Sequence, residues 1–227
     1  MSEEIENEIL EAEDEAQNLL KKETAPQEQS RFIGETIDNK RHGVLEQYDD
    51  EGNLKSHQSF EKGLLHGESR RYDPSQQLKE RMTYEEGIPH GPAEFYKNGI
   101  PLMHTTFHQG KQHGETTLYD EAGMVRARIQ HEYGAKHGTA ISYDPLGRVR
   151  RILHYQNNLL EGPALTYYPT GALLESGMYY QGKRHGEFKS YYENGVVHQI
   201  LIYDMGRLVR KPQVFDKYGN LITIGLE

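Results

Sequence analysis

The chain contains no cysteine and no tryptophan among its 227 residues. Without thiols there is no disulfide, no thiolate metal site and no cysteine nucleophile, and the composition fits a reducing compartment. Apolar residues make up only 35%, and mean hydropathy is strongly negative, which is little material for a thick two-layer core. A thin fold is expected. No stretch approaches the roughly 18 consecutive apolar residues of a membrane-spanning helix. The opening residues, MSEEIENEIL, lack the basic and apolar regions of a secretion signal. The sequence thus predicts a protein that stays where it is made, in the cytoplasm. An overall surplus of positive charge is missing too, since the formal net charge is -9. Residues 1–30 hold ten acids and two lysines, a net of -8, and the rest of the chain holds 25 acids against 24 bases. The body therefore lacks the basic balance of a nonspecific nucleic-acid or anionic-membrane binder. No specific nucleic acid is expected, and a membrane is disfavoured.

Glycine, by contrast, is abundant and periodic. Gly43, Gly67, Gly91, Gly114, Gly138, Gly162 and Gly186 recur every 24 residues with one interval of 23, the mark of a repeat protein. Five residues beyond each stands a tyrosine: Tyr48, Tyr72, Tyr96, Tyr119, Tyr143, Tyr167 and Tyr191. A second glycine follows in most units, then an aliphatic residue, then an aromatic, and then a third glycine such as Gly63, Gly87 or Gly182. Each unit reads as two short strands bounded by glycine turns, a β-hairpin. The predicted fold is all-β, an elongated twisted antiparallel sheet of tandem hairpins of about 24 residues each, preceded by an amphipathic helix. Residues 1–22 are assigned to that helix, 23–30 to a linker and 31–227 to an array of about eight units whose last is a degenerate cap.

A run of G-x-x-H-G-x-x-x-x-Y-x-x-x-G-x-L units over about residues 31–225 resembles the bacterial MORN-variant repeats of the YwqK-like family. The resemblance implies an antitoxin or immunity component, a protein that neutralises a toxin by binding it. Glu161 stands where other units have histidine, and the third unit is one residue short.

Six histidines precede the first glycine of their units: His42, His66, His90, His113, His137 and His185. Equivalent positions two strands apart lie about 9 to 10 Å from one another, too far for a column to close around one ion at the roughly 2 Å that zinc needs. They are expected to shape turns, not to hold metal. If they are buried and neutral, charging them at pH 5 to 6 would loosen the array. No phosphate loop, nucleophile elbow or HExxH helix is present, and tandem repetition spreads residues along a surface instead of gathering them in one pocket. The sequence therefore predicts no enzyme and no cofactor.

Two columns invite binding. The tyrosines are read both as a packing ladder and as an amphipathic platform. Lys79 and Arg81, Arg126 and Arg128, and Arg150 recur at twelve and fourteen residues past the first glycine. They are read as a basic stripe, either a solvated face or a seat for an acidic surface. The first residues supply such a surface. Ile5, Ile9, Ala12, Ala16 and Leu19 follow a 4,3,4,3 spacing amid acids, with Pro26 beyond. That segment would dock on its own sheet, on a second copy or in a partner. A protein partner, a toxin or effector, is expected, with a phospholipid-associated scaffold as the alternative and an oligomer through the helix also open.

Overall fold

The computed structural model describes residues 29–222, so the expected helix, with Ile5, Ile9 and Leu19, lies outside the described residues. Every regular element among the described residues is a β-strand, and the pairings are antiparallel throughout. The predicted hairpin repeat is what forms. Two compact units divide the chain after Val125.

The first unit contains β1 (Gln29–Ile37), β2 (Lys40–Tyr48), β3 (Leu54–Glu61), β4 (Leu64–Tyr72) and β5 (Leu78–Glu85). It continues with β6 (Ile88–Lys97), β7 (Ile100–His108), β8 (Lys111–Gln112) and β9 (Gly114–Tyr119). Strands pair in chain order, and β7 pairs with both β8 and β9. β1 starts within the stretch read as a linker, because its backbone pairs with β2 from Gln29 opposite Tyr48.

The second unit contains β10 (Val125–Glu132) from Arg126 onward, followed by β11 (Ala135–Tyr143), β12 (Val149–Gln156), β13 (Leu159–Leu160) and β14 (Gly162–Tyr167). Then come β15 (Leu173–Tyr180), β16 (Lys183–Tyr191), β17 (Val197–Asp204), β18 (Arg207–Leu208), β19 (Gln213–Phe215) and β20 (Leu221–Ile222). The last two are the short strands of the degenerate cap.

The chain reverses at two kinds of loop. At Lys62-Gly63, Glu86-Gly87 and Gln181-Gly182 both residues have positive φ, the type I′ geometry whose twist matches that of the flanking strands. At the other end of several hairpins an aspartate organises the loop: Asp49 Oδ1 accepts the N–H groups of Glu51 at 3.0 Å and Asn53 at 2.8 Å. These bonds, that of Asn53 first, hold the Asp49 carboxyl below the usual carboxylate range. The histidine–glycine pair is at neither turn. His66 and Gly67 lie inside β4, and His185 and Gly186 inside β16. The pairing slips there, between Ser176–Lys189 and Met178–His185 for example. With φ of +76°, Gly186 makes a bulge. Five of the six repeat histidines are strand residues and His113 lies between β8 and β9, a correction to their expected place in turns.

Alternation gives each unit a core face and an outer face. In the first unit Leu45, Met82, Phe95, Met103, Phe107 and Leu118 fill the core. Register lines up Glu80, Phe95, Met103 and Leu118 across four strands. The buried hydroxyls of Thr105 and Thr116 satisfy one another at 2.7 Å. Glu80 is also buried, with Arg71 at 3.6 Å, and burial raises its carboxyl pKa despite that neighbour.

The second unit replaces part of its aliphatic core with a ladder of aromatics. The rings of Tyr179 and Phe188 meet edge to face at 5.5 Å, those of Phe188 and Tyr203 at 5.4 Å, and the Arg184 guanidinium covers both Phe188 and Tyr203. Gly177 makes this possible, because a Cβ there would overlap the Phe188 ring. Gly177→Ala is expected to cost about 1–3 kcal/mol through overpacking. Measured by denaturant unfolding, the cost should shrink in a Phe188→Leu background. Equal costs in both backgrounds would mean that the ring is not the obstacle.

Candidate protein-binding face

The outer face differs between the units, and the difference comes from two positions per repeat. These are the third and fourteenth residues past the first glycine, which stand opposite one another across successive strands. In the first unit they run Glu46, His57, Arg70, Arg81, Glu94 and His104. This row is polar and internally paired. Arg81 grips Glu94 through two bonds, Nε to Oε2 at 3.0 Å and Nη2 to Oε1 at 2.5 Å. Tyr96 OH donates to the same carboxylate at 2.7 Å, as Tyr48 OH does to Glu46. Partial burial works upward on Glu94, but the Arg81 and Tyr96 bonds hold it below its ordinary range. Burial and that same bond push the Tyr96 phenol up to about 12. Further along, Tyr119 OH and His104 Nδ1 are 3.0 Å apart.

In the second unit the equivalent row is Arg128, Ile141, Ile152, Leu165, Ser176, Lys189 and Ile200. Ile141, Ile152 and Leu165 are direct neighbours on three adjacent strands. Leu174, Met178 and Ile202 share this face, and Tyr143 and Tyr167 stand at its loop end. All are partly exposed, Met178 at 47%. Among the described residues no second layer covers them. An aliphatic row flanked by tyrosines on an uncovered sheet face has the composition of the centre of a protein interface.

The sequence-predicted basic residues do not form one stripe. Lys79 and Arg81 lie on β5, Arg126 and Arg128 on β10, and Arg150 on β12. Arg81 is taken up by Glu94. Lys79 and Arg150 fall where the register slips, between Arg71–Glu80 and Tyr72–Leu78 and between Ser142–Arg151 and Tyr143–Val149. The slip also upsets the strict alternation on which the stripe was drawn. The aliphatic residue at position eleven pairs with the tyrosine at position five, as Leu54 does with Tyr48. It therefore does not stand on the face opposite the basic positions.

The seven repeat tyrosines are half-buried on the outer face, as a ladder or a platform requires. Four of the six repeat histidines face carboxylates: His66 with Glu61, His90 with Glu85, His137 with Glu132 and His185 with Asp204, at 3.4 to 3.6 Å. Their side chains are 37% to 50% exposed. His42 stands opposite Glu35, and His113 approaches the His108 ring at 5.8 Å. Among the described residues no three histidine or carboxylate side chains converge to hold an ion. The buried histidine is His131 instead, at the position that other units give to an aromatic. The apolar row itself escaped the sequence reading. Its signal was there, in the change from charged to aliphatic residues at positions three and fourteen from the fifth repeat onward.

The described residues thus define a tandem β-hairpin repeat with an uncovered apolar row on its outer face. Four segments, residues 41–62, 65–86, 136–157 and 184–205, match the family model described as MORN repeat variant. Those four segments are similar to MORN repeat variants and together span less than half of the chain. No curated protein matches it. Among solved structures, similarity is found to a GtfA/B complex bound to UDP and GlcNAc, with 18% identity over 60% of this chain and a TM-score of 0.22. Similarity is also found to a mutant of S. aureus TarM in complex with Fondaparinux, alpha-GlcNAc-glycerol and UDP, with 14% identity over 52% and a TM-score of 0.24. The matches span 25% and 19% of those chains, and neither resembles this one as a whole.

Proposed function

We propose that this chain is a non-catalytic binding protein whose outer face around Ile141, Ile152, Leu165 and Ile200 receives a protein partner. The observation that carries this is the uncovered aliphatic row itself. Side chains of this kind left in water hold free energy that a complementary surface recovers, at about 25 cal/mol per Å² of apolar area. The more specific reading is an antitoxin or immunity protein that neutralises a toxin in the cytoplasm, in keeping with the resemblance of the repeat units. A rigid face suits stoichiometric obstruction of another protein's active site, and it needs neither cofactor nor catalytic group.

The experiment is to purify the tagged chain from its own cells beside the variant Ile152→Asp/Leu165→Asp, identify what co-purifies, and assay that partner's toxicity with and without the chain. The wild type should hold one stoichiometric partner and suppress it. The variant should bind at least about 30-fold more weakly, as expected for loss of central interface contacts. Equal capture by both forms would remove this face from the proposal. A phospholipid-binding scaffold is the second reading, favoured by the charge of residues 126–227, where 13 bases outnumber 9 acids. Flotation with anionic vesicles and no protein partner would select it.

A further inference from the structure

We infer that β1 is a dimerisation edge: two copies of this chain pair their β1 strands antiparallel about a two-fold axis through Ile33, so that their first units share one sheet.

Among the described residues β1 has one neighbour, β2, and its other edge is unpaired. β1 is nine residues long, holds neither proline nor lysine, and keeps an unbroken register with β2. Sheet edges that stay single are ordinarily short, bulged, or guarded by those residues. Arg31, Ile33 and Glu35 stand in register with Glu46, Val44 and His42 on the outer face, and Phe32 and Gly34 with Leu45 and Gly43 on the core face. Ile33 is 47% exposed, and Arg31 and Glu35 are exposed beside it.

The order of these side chains selects the occupant. Ile33 is the middle residue of β1, so antiparallel pairing about it overlaps the two strands over their full length. That same register sets Arg31 opposite Glu35 of the second copy and, by symmetry, Glu35 opposite its Arg31, two charge pairs of the kind that stabilise neighbouring strands. On the other face it sets Phe32 opposite Gly34, where the missing side chain leaves room for the ring. A Cβ at Gly34 would collide with the His42 carbonyl, so the notch is fixed by the β1–β2 pair itself. A slip of one residue would turn each strand's side chains to the wrong face. A slip of two, in either direction, would set Arg31 against Ile33 or Ile37 and leave both charges unmatched. Overlap, charge and shape therefore agree on one register, and the contact it makes is isologous and closed.

The residues that precede β1 do not offer the same match. Among residues 1–28 the basic side chains are Lys21 and Lys22, and four places before and after them stand Gln17, Asn18, Ala25 and Pro26. In neither strand direction does that stretch supply a base and an acid at the spacing of Arg31 and Glu35. A second β1 does.

The test is the mass of the full-length chain by size-exclusion chromatography with light scattering, from about 1 to 100 µM, where a dimer is expected. Arg31→Glu and Glu35→Arg, taken singly, set like charges against one another across the axis and should each give a monomer. An equimolar mixture of the two variants has opposite charges at both places and should return to dimer, as should the double variant. Ile33→Lys, at an exposed position, puts two ammonium groups on the axis and should also give a monomer. The chain has no cysteine, so Ile33→Cys introduces a single thiol. Paired on the axis, with Cα atoms about 4.5–5.5 Å apart, two such thiols are within disulfide reach and should cross-link on mild oxidation. Ile37→Cys should not, because its two copies would stand eight residues apart along the strands, about 26 Å. These last three variants carry the test if a charge variant fails to fold. A wild type that is monomeric throughout overturns the inference, as does a dimer that survives Ile33→Lys, a mixture of folded charge variants that stays monomeric, or cross-linking as ready at position 37 as at 33. The inference concerns the edge of the first unit and does not use the face proposed for the partner, so its failure leaves that proposal standing.

Discussion

Replacing Phe95 with alanine is expected to destabilise the protein by about 3–5 kcal/mol, the range for truncating a fully buried phenylalanine. Phe95 is 0% exposed and lies opposite Glu80 on one side and Met103 on the other, with Met82, Met103 and Leu118 all at 1% or less. A thin sheet has few other side chains to collapse into the space left behind. The loss is a large fraction of the roughly 5–15 kcal/mol that holds an ordinary domain together. The neighbouring Tyr96 points to the other face, and Tyr96→Phe removes only its hydroxyl bond to the Glu94 carboxylate. That should cost about 1–3 kcal/mol. Urea unfolding of the two variants beside the wild type checks the order. A Phe95→Ala cost below about 1 kcal/mol would mean that this side chain is not the centre of the first unit's core.

The second large effect is on pH. Burial lowers His131 to about 4, with the nearby Lys136 charge adding to it and a backbone bond at Ile129 opposing. An unfolded histidine titrates near 6.5. Above that value both states are neutral, and the full stability is present. As pH falls from 6.5 to 4 the unfolded chain takes up a proton that the folded chain refuses, so stability drops by about 1.4 kcal/mol per unit. The loss reaches about 2 kcal/mol at pH 5 and about 3 kcal/mol near pH 4. Glu80 works in the opposite sense, because its raised pKa favours the folded state as it protonates. The carboxylates held low, such as Glu46, Asp49 and Glu94, lose their contribution only below the ordinary carboxylate range. Over pH 6.5 to 5 the loss from His131 is therefore opposed by Glu80 and not added to by the carboxylates held low. Thermal melting at pH 7.5 and 5.0 should show a fall of several degrees in the wild type and a smaller one in His131→Gln. Equal falls would assign the effect to other groups.

The sequence reading ties a pH response to the repeat histidines on the condition that they are buried, whereas the buried histidine is His131. The repeat histidines His66, His90, His137 and His185 are 37% to 50% exposed beside carboxylates. His131 sits in the aromatic column, and its burial comes from the side chains packed around it. A single histidine within one unit gives no sign of this unless it is aligned with Phe60, Tyr84 and Tyr203 at the same position of their own units.

The period of 24, the hairpin and the alternation of apolar and polar residues were determined by the sequence alone, because glycine at positive φ and aromatics at fixed intervals are local requirements that recur in every unit. Which glycine turns the chain and which one bulges it was not legible, since both need positive φ and only the pairing register separates Gly182 from Gly186. The basic stripe failed for the same reason. A count by twos holds along an unbroken strand, and the bulge beside Lys79 and Arg150 shifts the faces. Nor could the chain order by itself reveal that Arg81 is spent on Glu94, thirteen residues away, or that Ile141, Ile152 and Leu165 are neighbours. Those facts depend on which strands lie side by side, and cross-strand pairing, decided by the tertiary structure, is what turns scattered aliphatic residues into a face.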